Sequence, residues 1–393
     1  MRLYTTYPLA GLFVYLLSVS TTAMNFPASR RTVLGRSAAT LTAASTLTLH
    51  PASASASADF STSQVYAVST TTDNSPSLSK ISTDDALNSF KQIRGLWLGE
   101  HHNSLSDHLL QASIIKSLRA KEPKRKMALG LEAVQRQYQP VLDDYVTGRI
   151  ALKDVKRLTM WEARWSWPFE NYAPVFLAAK QSNMRLLALN ANSEDLALVE
   201  KGGLEALPHE TMKQYVPSPL QFANFGNTTA FKEYVSYVIL PSYNCHAEMG
   251  ILKQTITGQV LEQDMTFKNF YSGRMLWDIS MASVSSAWTS ANPSGLFVGV
   301  IGADHVKFGC GVPNRYAFST GMDLDSVKSV ILNPSAVDTA KWSANNNNDQ
   351  VPLTLQLQFG NAGDGDVLQA AATVKQVKAG SSVLPFADFM WLA

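Results

Sequence analysis

A carboxylate and three imidazoles lie close together in the chain, at Glu100, His101, His102 and His108. Imidazole and carboxylate groups in one place suit general acid–base chemistry or the binding of a borderline divalent metal. The residues before them are apolar and end at a glycine, which is typical of a strand buried on both faces. Because open α/β sheets bind ligands where their strands end, this cluster is the first candidate site.

A helix is predicted to begin directly after the cluster. Ser104 can act as its N-cap, and Asp107 follows at the spacing of a capping box. His108 then falls in the first helical turn. Since helical side chains lean toward the helix N-terminus, we expect His108 to point back at Glu100 and His102.

Three further polar residues stand at the ends of short apolar runs, which are predicted strands. Glu132 belongs to Met127–Ala133, Asn190 to Arg185–Ala191, and His305 follows Gly295–Gly302. Convergence of such residues at strand ends predicts one site. If the protein is an enzyme, the expected catalytic residues are Glu100, His102, Glu132 and His305, and the expected metal ligands are His102, His305 and Glu100, with manganese, zinc or cobalt as the metal.

The segment Trp161–Tyr172 is the most aromatic part of the chain. Trp161, Trp165, Trp167 and Tyr172 could form the wall of a flat apolar ligand, with a tyrosine or histidine available to iron. The alternative is ordinary packing of a helix and loop against the sheet.

Several function classes are excluded by what the sequence lacks. It has no His-x-x-x-His pair of a zincin, no Gly-x-Ser-x-Gly elbow of an α/β-hydrolase, and no glycine-rich phosphate loop. The net charge is +2 and no basic stripe is present, which argues against a nucleic-acid partner.

Residues 1–58 are predicted to be a bipartite targeting presequence. Leu9–Val19 is the apolar part of a secretory signal, and Arg30-Arg31 followed by a mildly apolar run indicates a second signal of the twin-arginine type. This pattern resembles the presequence of a thylakoid-lumen protein in an alga with a secondary plastid. The alternative is one secretory signal and a Ser/Ala linker, with a secreted or endomembrane-lumen protein. No apolar run reaches the ~20 residues of a stable transmembrane span.

The remaining chain is divided by its composition into three parts. Residues 59–85 are rich in Ser, Thr and Asp and predict a flexible lead-in, residues 86–333 predict an α/β domain, and residues 334–393 predict a small β-rich C-terminal extension. The two cysteines, Cys245 and Cys310, allow one disulfide or two free thiols.

The motifs together resemble a known family. They are G-E-x-H at 99–102, the pair His108 and Gln111, G-L-E-A at 130–133, the aromatic segment before Ala-Pro at 173–174, L-A-L-N at 187–190, R-x-x-W-D-x-x-M-A at 274–282 and G-A-D-H-V-x-x-G-x-G-V-P-x-R at 302–315. In this order, over about residues 90–318, they resemble a ChaN-like domain, the haem-binding uptake member of the Tiki/TraB/erythromycin-esterase-like superfamily.

The resemblance implies an α/β fold with a central, mostly parallel sheet wrapped by helices, and the binding of haem or a related tetrapyrrole. The residues expected to bind the ligand are His101, His108, Gln111, Tyr138, Trp165, Trp167, Tyr172, Asn190, Arg274 and Asp278. Tyr138, Tyr172 and His108 are the candidate iron ligands. In Tiki-like relatives the G-x-x-H histidine belongs to a metal-dependent peptidase site, and His102 is the matching residue here.

Two further functions therefore stand beside haem binding. One is a metal-dependent hydrolase that uses the His/Glu cluster. The other is a lumenal assembly factor with a vestigial site, because Ile279 follows Asp278 where the family commonly has Asp-Glu. A homodimer is an expected oligomeric form.

Overall fold

The computed structural model describes residue 60 and residues 62–70, 76–335, 356–359, 368–371 and 386–393. The predicted presequence lies outside these residues. The strands in the described residues are β1 (Gln64–Thr70), β2 (Pro76–Ile81), β3 (Gly95–Glu100), β4 (Met127–Gln135), β5 (Arg185–Asn190), β6 (Leu296–Gly302), β7 (Val327–Leu332), β8 (Gln356–Phe359), β9 (Leu368–Ala371) and β10 (Phe389–Leu392).

The α-helices surround these strands. In the described part of the chain they are α1 (Thr83–Ser89), α2 (Leu105–Lys121), α3 (Gln139–Val146), α4 (Leu152–Leu158), α5 (Trp161–Arg164), α6 (Phe169–Gln181), α7 (Ser193–Gly202), α8 (His209–Tyr215), α9 (Pro219–Gly226), α10 (Thr229–Tyr234), α11 (Leu240–Glu248), α12 (Phe267–Ala291), α13 (Ala303–Val306) and α14 (Val312–Thr320). A π-helical turn, Val235–Ile239, joins α10 to α11. Within the described residues, no helix combines the length and apolar character needed to cross a membrane.

Eight strands form one sheet in the order β2-β1-β10-β7-β3-β6-β4-β5. The six strands from β10 to β5 run parallel to their neighbours, while β1 is antiparallel to both β2 and β10. The predicted α/β fold with a mostly parallel central sheet is confirmed. Parallel strands place all their carboxyl ends at one edge, and the polar ends of β3, β4, β5 and β6 therefore meet there.

Both faces of the sheet are buried. Leu96 and Leu98 of β3 enter the core on the side of α2 and α6, whereas Trp97 between them enters the core on the side of α12 and α14. This alternation is the two-residue period of a strand. Glu100 continues the Leu96–Leu98 series, and its side chain therefore lies on the α2 and α6 side.

The structure differs from the flexible lead-in predicted over residues 59–85. Gln64–Thr70 and Pro76–Ile81 form the hairpin β1–β2, and Val65 and Tyr66 are buried. The β-branched and aromatic residues Val65, Tyr66 and Val68 are typical of a strand, but the abundance of Ser and Thr around them masked that signal.

The predicted β-rich tail is present in part as the antiparallel pair β8–β9. The last strand, β10, was not predicted. It lies inside the main sheet between β1 and β7, where Trp391 pairs with Val65 on one side and with Leu332 on the other. Cys245 and Cys310 are not joined to each other by a disulfide.

Candidate functional site

Glu100, the last residue of β3, is the centre of a buried hydrogen-bond network. Its Oε1 atom accepts a hydrogen bond from the Tyr172 hydroxyl at 2.7 Å and lies 2.9 Å from His102 Nδ1. Its Oε2 atom accepts a hydrogen bond from Gln111 Nε2 at 2.7 Å. His108 Nε2 lies 3.4 Å from Oε1. The structure thus brings these five residues together at the carboxyl edge of the sheet, as the sequence predicts for His102 and His108.

The local sequence explains how α2 reaches Glu100. Ser104 is the N-cap of α2 and accepts a hydrogen bond from the Asp107 backbone N–H at 3.1 Å, while its hydroxyl donates to the Asp107 carboxylate. The cap fixes where α2 begins, and His108 and Gln111 are then three residues apart and share one face of the helix. Tyr172 comes from the first turn of α6, which begins after Pro168.

A second network forms around Glu132 of β4. Glu132 Oε1 lies 3.2 Å from His305 Nε2, and Glu132 Oε2 accepts a hydrogen bond from the Gly302 backbone N–H. His305 Nδ1 in turn lies 2.5 Å from Asp278 Oδ1 on α12. Arg274, one turn earlier on α12, has its Nε atom 3.7 Å from the same Asp278 oxygen.

The two networks meet at Glu132, since His102 Nε2 lies 4.0 Å from Glu132 Oε2. Glu100 on one side and Asp278 on the other each contact the Nδ1 atom of an imidazole. Each imidazole then turns its Nε2 atom toward Glu132. A carboxylate on one ring nitrogen fixes the tautomer and orientation of a histidine, so this pattern prepares two imidazoles for proton transfer or metal binding.

The residues around Glu100 are buried, and their opposite charges stabilise one another. Burial alone raises the pKa of Glu100, but the adjacent His108 and His102 imidazoles outweigh it and hold that pKa well below its usual value. For His108, burial lowers the pKa, whereas the Glu100 carboxylate more than compensates and raises it. Glu100 and His108 therefore favour the carboxylate–imidazolium form.

In the second network, too, neighbouring charges outweigh the effect of burial on the pKa values. Burial raises the pKa of Glu132 and of Asp278, but the neighbouring His305 charge reverses the effect and lowers both. The pKa of His305 is lowered by burial and by Arg274, but the Glu132 and Asp278 carboxylates overcome both and raise it. Strongly perturbed titratable groups in one cluster are a feature of functional sites.

Aromatic rings cover one side of the cluster. The His102 ring centre lies 4.4 Å from that of Trp167 and 5.0 Å from that of Trp165. Tyr172 packs against His108 with ring centres 4.0 Å apart. All of these rings are buried, and they also join the core of the α2 and α6 side. The aromatic segment thus packs against the sheet and at the same time lines the histidine cluster.

The remaining predicted residues are placed as follows. The His101 Nδ1 atom lies 2.9 Å from Asp107 Oδ2. Asn190 ends β5 beside Gln135 of β4, is buried, and leaves its Oδ1 atom without a hydrogen-bond partner in the described residues. Tyr138 is half-buried and ends the short 3₁₀ helix that follows β4.

Two residues of the site were missed by sequence reasoning. Trp277 stacks on His305 with ring centres 6.0 Å apart, and it is the tryptophan of the R-x-x-W-D motif, so a signal for it existed. The Tyr234 hydroxyl lies 3.2 Å from Arg274 Nη2. Tyr234 precedes a π-helical turn, a feature often found at functional sites, but nothing in the sequence marks that turn.

The described residues do not form a ready-made metal site. In the residues that the structure describes, no group of three or more His, Cys, Asp and Glu side chains is arranged to hold a metal ion. Glu100 contacts His102 at Nδ1, on the opposite side of the ring from the Nε2 atom that faces Glu132. His102, His305 and Glu100 as a set of metal ligands remain a prediction. His108 Nδ1 and Asp278 Oδ2 are buried without hydrogen-bond partners in these residues, so the site retains unused polar atoms.

Comparison with known proteins gives one sequence match. Residues 86–316, more than half of the 393 residues, match the model of a family described as haem-binding uptake, Tiki superfamily, ChaN. None of the curated proteins matches the chain.

Solved structures show more distant likeness. One is ChaN of Campylobacter jejuni with cofacially bound haem (16% identity, TM-score 0.46), where the match covers 69% of this chain and 91% of the other. A second is an erythromycin esterase mutant in its open conformation (15% identity, TM-score 0.36, coverage 74% and 78%). A third is a Bacillus cereus protein (13% identity, TM-score 0.35, coverage 78% and 89%).

Proposed function

Because the chain belongs to the haem-binding uptake family of the Tiki superfamily, we propose that it binds haem or a related tetrapyrrole at the carboxyl edge of its sheet. The family match carries this proposal. The aromatic rings around His102 and the unused polar atoms of the cluster support the location.

The exposure of the three candidate iron ligands favours Tyr138. His108 and Tyr172 are 0% and 1% exposed, and the Tyr172 hydroxyl already donates to Glu100. Burial and the Glu100 charge also raise the pKa of Tyr172, which opposes the phenolate form that iron ligation needs. Tyr138 is half-buried in the 3₁₀ helix that follows β4, so of the three candidates it is the one that a ligand can reach from solvent.

The test is a haem titration of the purified protein followed by visible absorbance. We expect a saturable Soret shift with wild type, and at least a roughly tenfold loss of affinity with Tyr138→Phe, because the axial bond is removed. Tyr243→Phe is the matched control, since Tyr243 is also half-buried but donates to the Met265 carbonyl on a different part of the fold. Absence of a Soret shift in wild type would overturn haem binding. An unchanged shift in Tyr138→Phe would overturn the ligand assignment.

A metal-dependent hydrolase is the second candidate, and one observation favours it. Two carboxylate-held imidazoles, His102 and His305, turn their Nε2 atoms toward Glu132. These imidazoles would hold a divalent metal, which would supply an activated water, while Glu100 and Asp278 orient the imidazoles. Stoichiometric manganese, zinc or cobalt without a haem response would favour this function. His102→Ala should then abolish metal-stimulated cleavage, and unchanged turnover would reject it.

We also propose the thylakoid lumen of a secondary plastid as the location, on the basis of the two tandem signals in residues 1–58. A fluorescent fusion to these residues should enter the plastid. Replacing Arg30 and Arg31 by Lys should stop it in the stroma, whereas secretion from the cell would reject the proposal.

A further inference from the structure

A small cavity lies between α9, α12 and α14, away from the Glu132 cluster. Its volume is about 190 Å³, and its wall includes Phe222, Phe225, Ser283, Ser286, Arg315 and Phe318. None of the residues in the Glu100 and Glu132 networks lines it. Ile279 faces this cavity, whereas its neighbour Asp278 on α12 contacts His305.

Arg315 is the unusual group in this wall. It is 2% exposed, and its guanidinium carbon lies 4.3 Å from the ring centre of Phe225, 5.3 Å from that of Phe231 and 5.4 Å from that of Phe222. Its Nη2 atom contacts the Met275 sulfur, a weak acceptor. The Nε and Nη1 atoms have no hydrogen-bond partner in the described part of the chain.

An arginine that is buried with only a weak sulfur acceptor is costly. A buried charge is ordinarily paired and hydrogen-bonded, and an unsatisfied charged donor loses its hydration without compensation. Burial lowers the pKa of Arg315 to about 10, although the Asp278 charge acts in the opposite direction. The guanidinium therefore keeps its charge at neutral pH. The Ser286 hydroxyl, in the same wall, is a second buried group without a partner.

We propose that this cavity binds a small monocarboxylate with an apolar body. The carboxylate would accept hydrogen bonds from Arg315, whose fork of N–H groups matches carboxylate geometry, and from Ser286. The phenylalanine rings supply an apolar surface for the rest of the ligand. A volume of about 190 Å³ is below the usual 300–1,000 Å³ of a drug-sized site, which selects a ligand of few atoms and not a tetrapyrrole.

The test is calorimetric titration of the whole protein with hexanoate, with hexan-1-ol as the neutral analogue and inorganic phosphate as the anion without an apolar body. We expect hexanoate to bind with a Kd of about 10 mM or tighter and to raise the melting temperature, while the other two probes bind at least about tenfold more weakly.

Arg315→Met should weaken hexanoate binding by about tenfold or more, since it removes a charged hydrogen bond but keeps an apolar side chain of similar length. Arg136→Met is the control, because Arg136 also stacks on an aromatic ring, that of Tyr215, and also has a buried Nη1 atom without a partner, but it does not line the cavity. If Arg315→Met does not fold, Ser283→Phe fills the cavity while keeping the arginine, and it should abolish binding.

Three results would overturn the proposal. They are no hexanoate binding by wild type at about 50 mM, equal affinity for hexanoate and hexan-1-ol, and hexanoate binding that survives both Arg315→Met and Ser283→Phe. In the first of these cases, tight phosphate binding would reject the monocarboxylate class in particular.

Discussion

Asp278 and His305 form the shortest contact between two side chains in the candidate site, with 2.5 Å between Asp278 Oδ1 and His305 Nδ1. Both side chains are almost completely buried. The pair joins the long helix α12 to the turn that follows β6. It therefore determines both the position and the charge of an imidazole that faces Glu132.

Replacing Asp278 by Asn should lower the pKa of His305, because the carboxylate is one of the two charges that raise it. We also expect a loss of about 3–5 kcal/mol in the free energy of unfolding, the usual cost of breaking a buried ion pair. NMR titration of the imidazole signals and chemical denaturation measure the two effects. Asp264→Asn, at an exposed position, should change neither.

The sign of the pH dependence follows from the direction of the shift. A histidine with a raised pKa in the folded state contributes fully below its unfolded value of about 6.5, and this contribution is lost as the pH rises through the folded value. Asp278→Asn should reduce that loss. An equal pH dependence in both proteins would show that Asp278 does not hold the His305 proton.

The buried carboxyl group of Glu200 leads to a second prediction on how stability depends on pH. It lies on α7, is 4% exposed, and accepts one hydrogen bond, from the Ile256 backbone N–H at 2.7 Å. Burial raises the pKa of Glu200 to about 8. Between its unfolded value of about 4.5 and pH 8, the unfolded state has lost the proton that the native state still binds, so stability falls as the pH rises.

Glu200→Gln should remove this slope. Between pH 4.5 and about 8, the raised pKa of Glu200 corresponds to a loss on the order of 5 kcal/mol in the free energy of unfolding of wild type. Denaturation curves at pH 5 and pH 8 for both proteins measure the difference. Glu210→Gln, at an exposed position on α8, is the control and should keep the wild-type slope. If the free energy of unfolding of Glu200→Gln fell between pH 5 and pH 8 as much as that of wild type, the prediction would be contradicted.

Gly302 allows His102 to approach the end of β6. A Cβ atom at this position would lie 2.7 Å from His102 Nε2, and His102 is fixed by Glu100 on its other side. Gly302→Ala should cost about 1–3 kcal/mol through overpacking and should shift the His102 imidazole signals. Gly226→Ala is the matched control, since beyond its chain neighbours and its own helix backbone no atom of the described residues lies within 4 Å of the added methyl group. Equal stability of the two variants would show that His102 has room to move.

Substitution of Trp391 measures how much the last strand, β10, contributes to stability. It is 0% exposed, and its ring lies against Phe60, with ring centres 5.5 Å apart. Trp391→Ala should cost about 3–5 kcal/mol and should speed amide exchange in β1 and β2. Leu392→Ala, at a half-buried position of the same strand, should cost less. Unchanged exchange in Trp391→Ala would mean that β1 and β2 hold their place without it.

Local signals predicted much of the sheet edge that forms the site. The Ser104 cap, the position of His108 and the strands that end at Glu100 and Asn190 depend on residues within one or two turns of each other, where propensity and periodicity apply. The convergence of Glu132 with His305 was also expected, because parallel strands end on the same side of a sheet.

The remaining features depend on contacts between distant parts of the chain. The place of β10 is set by pairing with Val65 and Leu332, and strand propensity carries no information about a partner that far away. The contact between Tyr234 and Arg274 likewise joins two helices, α10 and α12, that lie far apart in the sequence. The direction of His101 depends on Asp107, which α2 presents only after the helix has formed.

The position of β10 also affects the order in which the protein can form during synthesis. The strands β1 and β2 are the first of the main sheet to be translated, but their link to the parallel strands is β10, which is the last strand of the sheet to be translated. Until then β1 and β7 each expose an unpaired edge, which is prone to join other chains. The nascent protein should therefore need a chaperone until residue 392 has left the ribosome, and a variant without β10 should accumulate in aggregates.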